Sequence, residues 1–159
     1  MTLVLGIDPG TATTGFGLVR DLQDGSLQMV EYGVITTPKE EAAHQRLKML
    51  YHELKKLIRR HKPESVAVEK LFFQRNVSTA IAVGQARGVV MLAIAEASLD
   101  VAEYTPNEVK QAVVGYGSAD KKQVQEMVRV LLSLPSIPKP DDAADALAIA
   151  ITHLHTRRY

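Results

Sequence analysis

The segment DDAADALAIAITHL, residues 141–154, carries three carboxylates in its first five positions and is almost wholly apolar after them. A helix that is apolar on nearly every side is a buried helix, so this one belongs at the centre of a fold, with its acidic end wherever that fold keeps its polar chemistry. The chain has 159 residues, enough for a single domain, 1–159, that buries roughly 70% of the surface it would expose unfolded. Apolar residues at 46% and charged residues at 23% are the composition of a globular protein with a core for such a helix to enter.

The rest of the chain supplies the partners. TLVLGID (2–8) is a short apolar run ending in Asp-Pro-Gly, a buried strand followed by a turn. GFGLVRDL (15–22) and LQMVEYGVITT (27–37) flank Asp24-Gly25, a strong hairpin signal, so three antiparallel strands are expected. Across 42–61, Leu47, Leu50, Tyr51, Leu54, Leu57 and Ile58 recur at helical spacing up to Pro63. SVAVE (65–69) is then a buried strand reached by a helical crossover, which makes it a parallel neighbour of the first. A long helix over 77–98, a strand over 100–105, helices over 107–114 and 120–133 and the proline-stiffened connector SLPSIPKP lead to the final helix. The order β-β-β-α-β-α-β-α-α-α predicts an α/β fold of the ribonuclease-H-like kind: a mixed five-stranded sheet with helices on both faces.

Cysteine is absent, which excludes disulfides, thiolate nucleophiles and cysteine zinc sites. The N-terminus lacks the basic and apolar regions of a secretion signal, and no run of 18 uninterrupted apolar residues suggests a membrane span; a soluble, cytoplasmic protein is expected. The net charge of +1 conceals basic clusters at 55–62, 70–75, Lys110, 121–122 and 157–158. Such clusters are commonly solvated helix faces, but around an acidic pocket they suit a polyanion held by its phosphates.

Asp8 and Glu69 each end a strand, on the carboxyl side of the sheet where sites collect. Asp142 and Asp145 stand three apart on one helical face. Pro140 favours a helix start here, with Asp141 placed to cap it. Asp145 lies a turn further in, between Ala144 and Ala146, where capping does not account for it. Helical spacing alone pairs Asp145 equally with Asp142 or Asp141. Converging carboxylates repel unless one is protonated or a cation joins them, and oxygen-only ligation selects Mg²⁺, with Mn²⁺ as a substitute. Two such ions about 4 Å apart activate water and stabilise the leaving oxygen in phosphodiester hydrolysis. His153 and His155 lie about three turns from Asp142, too far to share a metal, and a surface or phosphate-contacting role is expected.

LGIDPGTATTGFG, AVEKLFFQRN, IAVGQARGVVM, EVKQAVVGYGSADKKQVQ and DAADALAIAITH, in that order from residue 3 to about residue 155, resemble the RuvC-type Holliday junction resolvases. The resemblance implies a homodimeric endonuclease that makes paired symmetric nicks in four-way junction DNA, working with the RuvA and RuvB branch-migration proteins. It places the family's acidic tetrad, catalytic and metal-binding, on Asp8, Glu69, Asp142 and Asp145. The aromatic wedge falls on Phe72, with Phe73 packing beside it, and lysines near the scissile phosphates fall on Lys110 and Lys121. Arg75, Asn76 and Lys122 are counted with the DNA contacts. Aromatic wedges that open base steps are an established device. The long helix at 77–98 is apolar on nearly every side and suits packing on its own sheet and on a second subunit, as a two-fold substrate asks.

Three other functions use parts of the same pattern. A nuclease for RNA or RNA–DNA hybrid would use the same acids. An actin-like phosphate-binding ATPase shares a loop like GIDPGTATTG, but such proteins duplicate the fold and need a longer chain. A catalytically dead junction-binding protein would have no use for all four acids.

Overall fold

The computed structural model describes residues 2–10, 12–70 and 77–157. Its elements run β1 (Thr2–Asp8), β2 (Thr13–Asp21), β3 (Leu27–Thr36), α1 (Ala43–His61), β4 (Ser65–Glu69), α2 (Val77–Glu96), β5 (Asp100–Tyr104), α3 (Pro106–Val113), α4 (Lys121–Leu131) and α5 (Asp141–Thr156). The five strands form one sheet in the order β3-β2-β1-β4-β5. β1, β2 and β3 pair antiparallel and β4 and β5 extend the sheet in parallel, as the hairpin and crossover signals require.

The β2–β3 turn is longer than a two-residue hairpin. Leu22 and Ser26 close it through Leu22 N–H to Ser26 O at 2.9 Å, and Gly25 takes φ of +91°, the left-handed value that ends a three-residue loop. Asp24 steadies it by accepting from the Ser26 amide at 3.0 Å.

Each strand's alternation sorts its side chains between two cores. Leu3, Leu5, Ile7, Val66 and Val68 face α1 and α2, packing with Leu50, Leu54 and Ile58 of α1 and with Val90 and Ile94 of α2. Val4, Val19 and Ala67 face the other way, onto Leu147, Ile149 and Ile151 of α5 and Val109, Val124 and Val128 of α3 and α4. By the same alternation Asp8 follows Val4, and Glu69 follows Ala67, to the α5 face.

Helix α5 is buried along almost its whole length after the first turn. It comes this close because three strand positions beneath it are glycine. A methyl at Gly6 would collide with the Ala146 carbonyl, one at Gly15 with the Asp142 carbonyl and one at Gly17 with the Leu147 side chain.

Helix α2 commits only one of its apolar faces to the core of its own chain. Ala86, Val90, Ala93 and Ile94 are in the core, whereas Val77, Ile81 and Leu92 are 75%, 57% and 54% exposed. Its Thr79–Glu96 stretch is long and apolar enough to cross a membrane by length and composition, although one face is committed to the sheet. A methyl added at Gly84 or Gly88 would meet nothing within 4 Å.

Candidate active site

Asp8 and Glu69 reach the same sheet edge because β1 and β4 are parallel neighbours, paired through Ile7 and Val68. Helix α5 brings its first turn down on them. Gly15 is the direct partner of Asp8 across the β1–β2 ladder, and it is over Gly15 that the Asp142 carbonyl lies. A carboxylate oxygen from each of Asp8, Asp142 and Asp145 lies within 4.8 Å of the others. Glu69, half-buried, joins this group through a side-chain hydrogen bond with Asp8.

Crowding of this kind forces protons onto the acids. Burial first, then the hydrogen bond to Glu69 and the charges of Glu69, Asp145 and Asp142, push the Asp8 carboxyl up to about 9 from 3.8. Asp145 is raised to about 6, chiefly by burial; the Lys121 ammonium and a hydrogen bond with Asp8 act against that rise, and the charges of Glu69 and Asp142 add to it. Without a cation, burial and mutual repulsion therefore keep the cluster from ionising fully. An all-oxygen donor set so short of positive charge fits a hard divalent ion.

Asp141 stands apart from that group. It does not cap α5: Pro140 occupies the N-cap position and makes no side-chain cap bond. With Asp141 already the first helical residue, its carboxylate turns outward to Lys121 Nζ at 3.2 Å and accepts from Gln125 Nε2 at 3.1 Å. The Lys121 contact, with help from Gln125, holds the Asp141 carboxyl below its ordinary range.

Lys121 opens α4, placed by a capping box in which Asp120 accepts from Gln123 N–H at 2.8 Å and Gln123 accepts from Asp120 N–H at 2.8 Å. Burial pulls its pKa down, but Asp141 and the charges of Asp145 and Asp142 outweigh that and raise it. Lys110, on α3 behind the Thr105–Glu108 capping box, lines with Lys121 a cavity of about 220 Å³. Glu69 and Asp145 stand on its wall, and Pro106, Val109, Val124, Ala148 and Ile149 make the remainder. Lys122 is exposed one position along α4, outside that lining. Phe72, Phe73, Arg75 and Asn76 lie outside the described residues.

His153 corrects the sequence expectation. His153 is buried, with Nδ1 at 2.8 Å from the Tyr104 hydroxyl and Nε2 at 3.1 Å from Ser65 Oγ, and burial, then Arg157, lower its pKa. It is a polar link inside the core, with no surface to offer a phosphate. His155 is half-buried, its Nδ1 at 3.2 Å from the Ala112 carbonyl. Sequence reasoning missed Arg87, which touches Glu69, and Gln125, which touches Asp141 beside the site; Gly15 it read only as part of a strand. Of these, only Gly15 had a signal, in the glycine alternation of GFG opposite a helix of small residues.

Comparison with known proteins follows the same geometry. The family model described as "Crossover junction endodeoxyribonuclease RuvC" matches residues 4–153. A crossover junction endodeoxyribonuclease RuvC of Syntrophomonas wolfei is 56% identical over 155 residues, 98% of this chain and 90% of that protein. The structure of Thermus thermophilus RuvC is similar at a TM-score of 0.92 and 40% identity, covering 99% of this chain and 96% of that one. The T. thermophilus RuvC in complex with Holliday junction substrate is similar at 0.91 and 38% identity, with coverage of 99% and 96%. The fold is thus the ribonuclease-H-like fold of the resolvases.

Proposed function

This chain belongs to the RuvC family of crossover junction endodeoxyribonucleases, and from that premise we propose that its acidic cluster hydrolyses two opposed strands of a Holliday junction with divalent metal, in recombination and repair. The observation that carries the reading is the meeting of Asp8, Asp142 and Asp145 within 4.8 Å of one another, with Glu69 bonded to Asp8 and a lysine-lined cavity alongside.

Asp8, Glu69, Asp142 and Asp145 are the ligands, and Mg²⁺ is the ion, two per site, with Mn²⁺ able to replace it. When bound, the ions supply water activation and stabilisation of the leaving oxygen. The chain's own residues do the rest. Asp8 releases its proton as cation charge replaces it, so metal uptake and proton loss are coupled. The positive end of the α5 dipole offsets some of the repulsion at Asp142. Lys110 and Lys121 hold the phosphates of the cut strand across the cavity they line, and Lys122 adds a backbone contact. Phe72 opens the crossover with Phe73 packed behind it, and Arg75 and Asn76 contact the same DNA, all by family resemblance.

The working unit is a homodimer of 1–159 single-domain subunits, paired through the exposed face of α2. Val77, Ile81 and Leu92 provide its apolar area, and Gly84 and Gly88 let two helices approach closely. Two such sites give paired nicks across a two-fold junction. The protein acts in the cytoplasm beside RuvA and RuvB, again by family resemblance.

The test is cleavage of a synthetic four-way junction against duplex, single strand and RNA–DNA hybrid, with Mg²⁺ and with chelator. Nicking confined to the junction and abolished by chelator is expected. Equal or faster cutting of the hybrid would replace this reading with a ribonuclease.

A further inference from the structure

The side chain of Glu69 points toward α5, yet its main chain is gripped from the opposite layer. Arg87, on α2, donates from Nη1 to the Glu69 carbonyl oxygen and from Nη2 to the Glu103 carboxylate on β5. The other polar group of that same peptide unit, the Lys70 N–H, donates to the Tyr104 carbonyl at 2.7 Å. A peptide unit is planar, so one bonded at both its C=O and its N–H has no freedom to swing. That fixes ψ of Glu69, and with it the direction in which the Glu69 side chain leaves the strand.

The grip sits where the sheet stops providing one. The pairing of β4 with β1 runs only through Val68, and the pairing with β5 ends at Glu69 itself. Arginine suits the task because its planar fork reaches two acceptors at once with its charge permanently on. The Arg87 side chain is only 20% exposed, and Glu103 holds the second prong.

We infer that Arg87 is a positioning residue for cleavage: from α2 it locks the Glu69 main chain so that the Glu69 carboxylate is presented to Asp8. This rests on the reading of Glu69 as a metal ligand given above. It touches neither DNA nor reacting atoms. Because α2 also carries the face assigned to the second subunit, one helix anchors both subunit pairing and a ligand's main chain.

The experiment compares full-length wild type with Arg87→Ala, Arg87→Lys and Glu103→Gln on a synthetic four-way junction. Junction affinity without cleavage, single-turnover rate at saturating enzyme, sedimentation and thermal unfolding are measured. A displacement of about 1 Å at a reacting group costs up to about a hundredfold, so Arg87→Ala should cut at least about tenfold more slowly. Junction affinity and dimerisation should stay within about threefold of wild type, which separates the effect from uniform binding. Added guanidinium should restore part of the Arg87→Ala rate. Arg87→Lys, which keeps charge without the fork, should remain slow, and Glu103→Gln should lose less than Arg87→Ala.

Arg87→Ala cutting at the wild-type rate overturns the inference. So does a rate loss matched by equal loss of affinity with no response to guanidinium, which is the behaviour of an ordinary structural ion pair. If Arg87→Ala does not fold, Arg87→Lys decides: slow cutting at unchanged affinity supports positioning, and a wild-type rate refutes it. A wild type that leaves the junction uncut would instead sink the functional reading.

Discussion

Helices α2 and α5 are written in nearly the same small, apolar alphabet, and the fold treats them differently. From Ala143 to Leu154, α5 is buried but for partly exposed Asp145, seated on Gly6, Gly15 and Gly17 of the strands below. In α2 the glycines belong to the helix itself, at Gly84 and Gly88, and a side chain placed there would meet only open space. The first helix has its complement in its own sheet; the second has half of one, and leaves Val77, Ile81 and Leu92 to water. Glycine facing a helix from a strand marks an intramolecular seat. Glycine facing outward from a helix, as at Gly84 and Gly88, faces open space.

The sharpest way to break this contrast is at Gly15. Gly15→Ala places a methyl inside the Asp142 carbonyl group, so α5 must lift by its acidic end. A cost of about 3 kcal/mol is expected from overpacking, together with loss of nearly all Mg²⁺-dependent cleavage. Chemical unfolding and a junction assay measure the two, and a stable, active Gly15→Ala would show that the seat is not required. Gly88→Ala should instead stabilise the monomer by about 0.5–1 kcal/mol, since nothing opposes the methyl and alanine is the better helix former.

Next in size is the choice between adjacent acids on α5. Asp142→Asn should lower cleavage by at least about a hundredfold with junction binding retained. Asp141→Asn, whose carboxylate serves Lys121 and Gln125, should stay within about threefold of wild type. The reverse pattern would move the ligand set by one residue. Because Asp141 makes no cap and its ion pair is exposed, Asp141→Ala should leave the thermal unfolding midpoint nearly unchanged.

On α2, Ile81→Glu with Leu92→Glu should give a folded monomer with little change in stability, as both positions are exposed. Sedimentation would detect the monomer, and paired nicking should give way to slow single nicks. A variant that remains dimeric moves the interface elsewhere.

The remaining test is a pH response of the metal-free protein. Asp8 has its folded pKa raised to about 9 from 3.8. Its contribution is therefore fully present below about pH 4 and drains away as pH rises toward 9. The Tm of metal-free wild type should fall across that window. Asp8→Asn should flatten the slope, and Mg²⁺ should raise Tm near pH 8 for wild type and not for Asp8→Asn.

What the sequence disclosed follows the reach of its signals. Strand and helix periodicities are local, so β4 and the hairpin partners of β1 are legible within a residue or two. The parallel crossover then puts Asp8 beside Glu69 without further information. For α2, apolar composition says that both faces want covering and leaves open whether the chain itself or a second subunit covers them. His153 misleads for a related reason: its partners Tyr104 and Ser65 are 49 and 88 positions away, and helical phase carries no trace of them. Asp141 reads as a cap because Asp-rich helix starts usually are caps, but Pro140 takes that position and Lys121 of α4 takes the Asp141 carboxylate.

The burial of α5 ties the acidic turn to the slowest motions of the molecule. Amides of its buried stretch exchange with solvent only when the core itself opens. Asp145 lies within that stretch and Asp142 one residue before it. Their spacing is then set by the same event that sets global unfolding, so deuterium uptake along Ala146–Leu154 should track the loss of the acidic cluster. Destabilising variants far from the cluster, such as one at Val19 or Ile151, would then erode cutting only as far as they populate the unfolded chain, without distorting the site in molecules that remain folded.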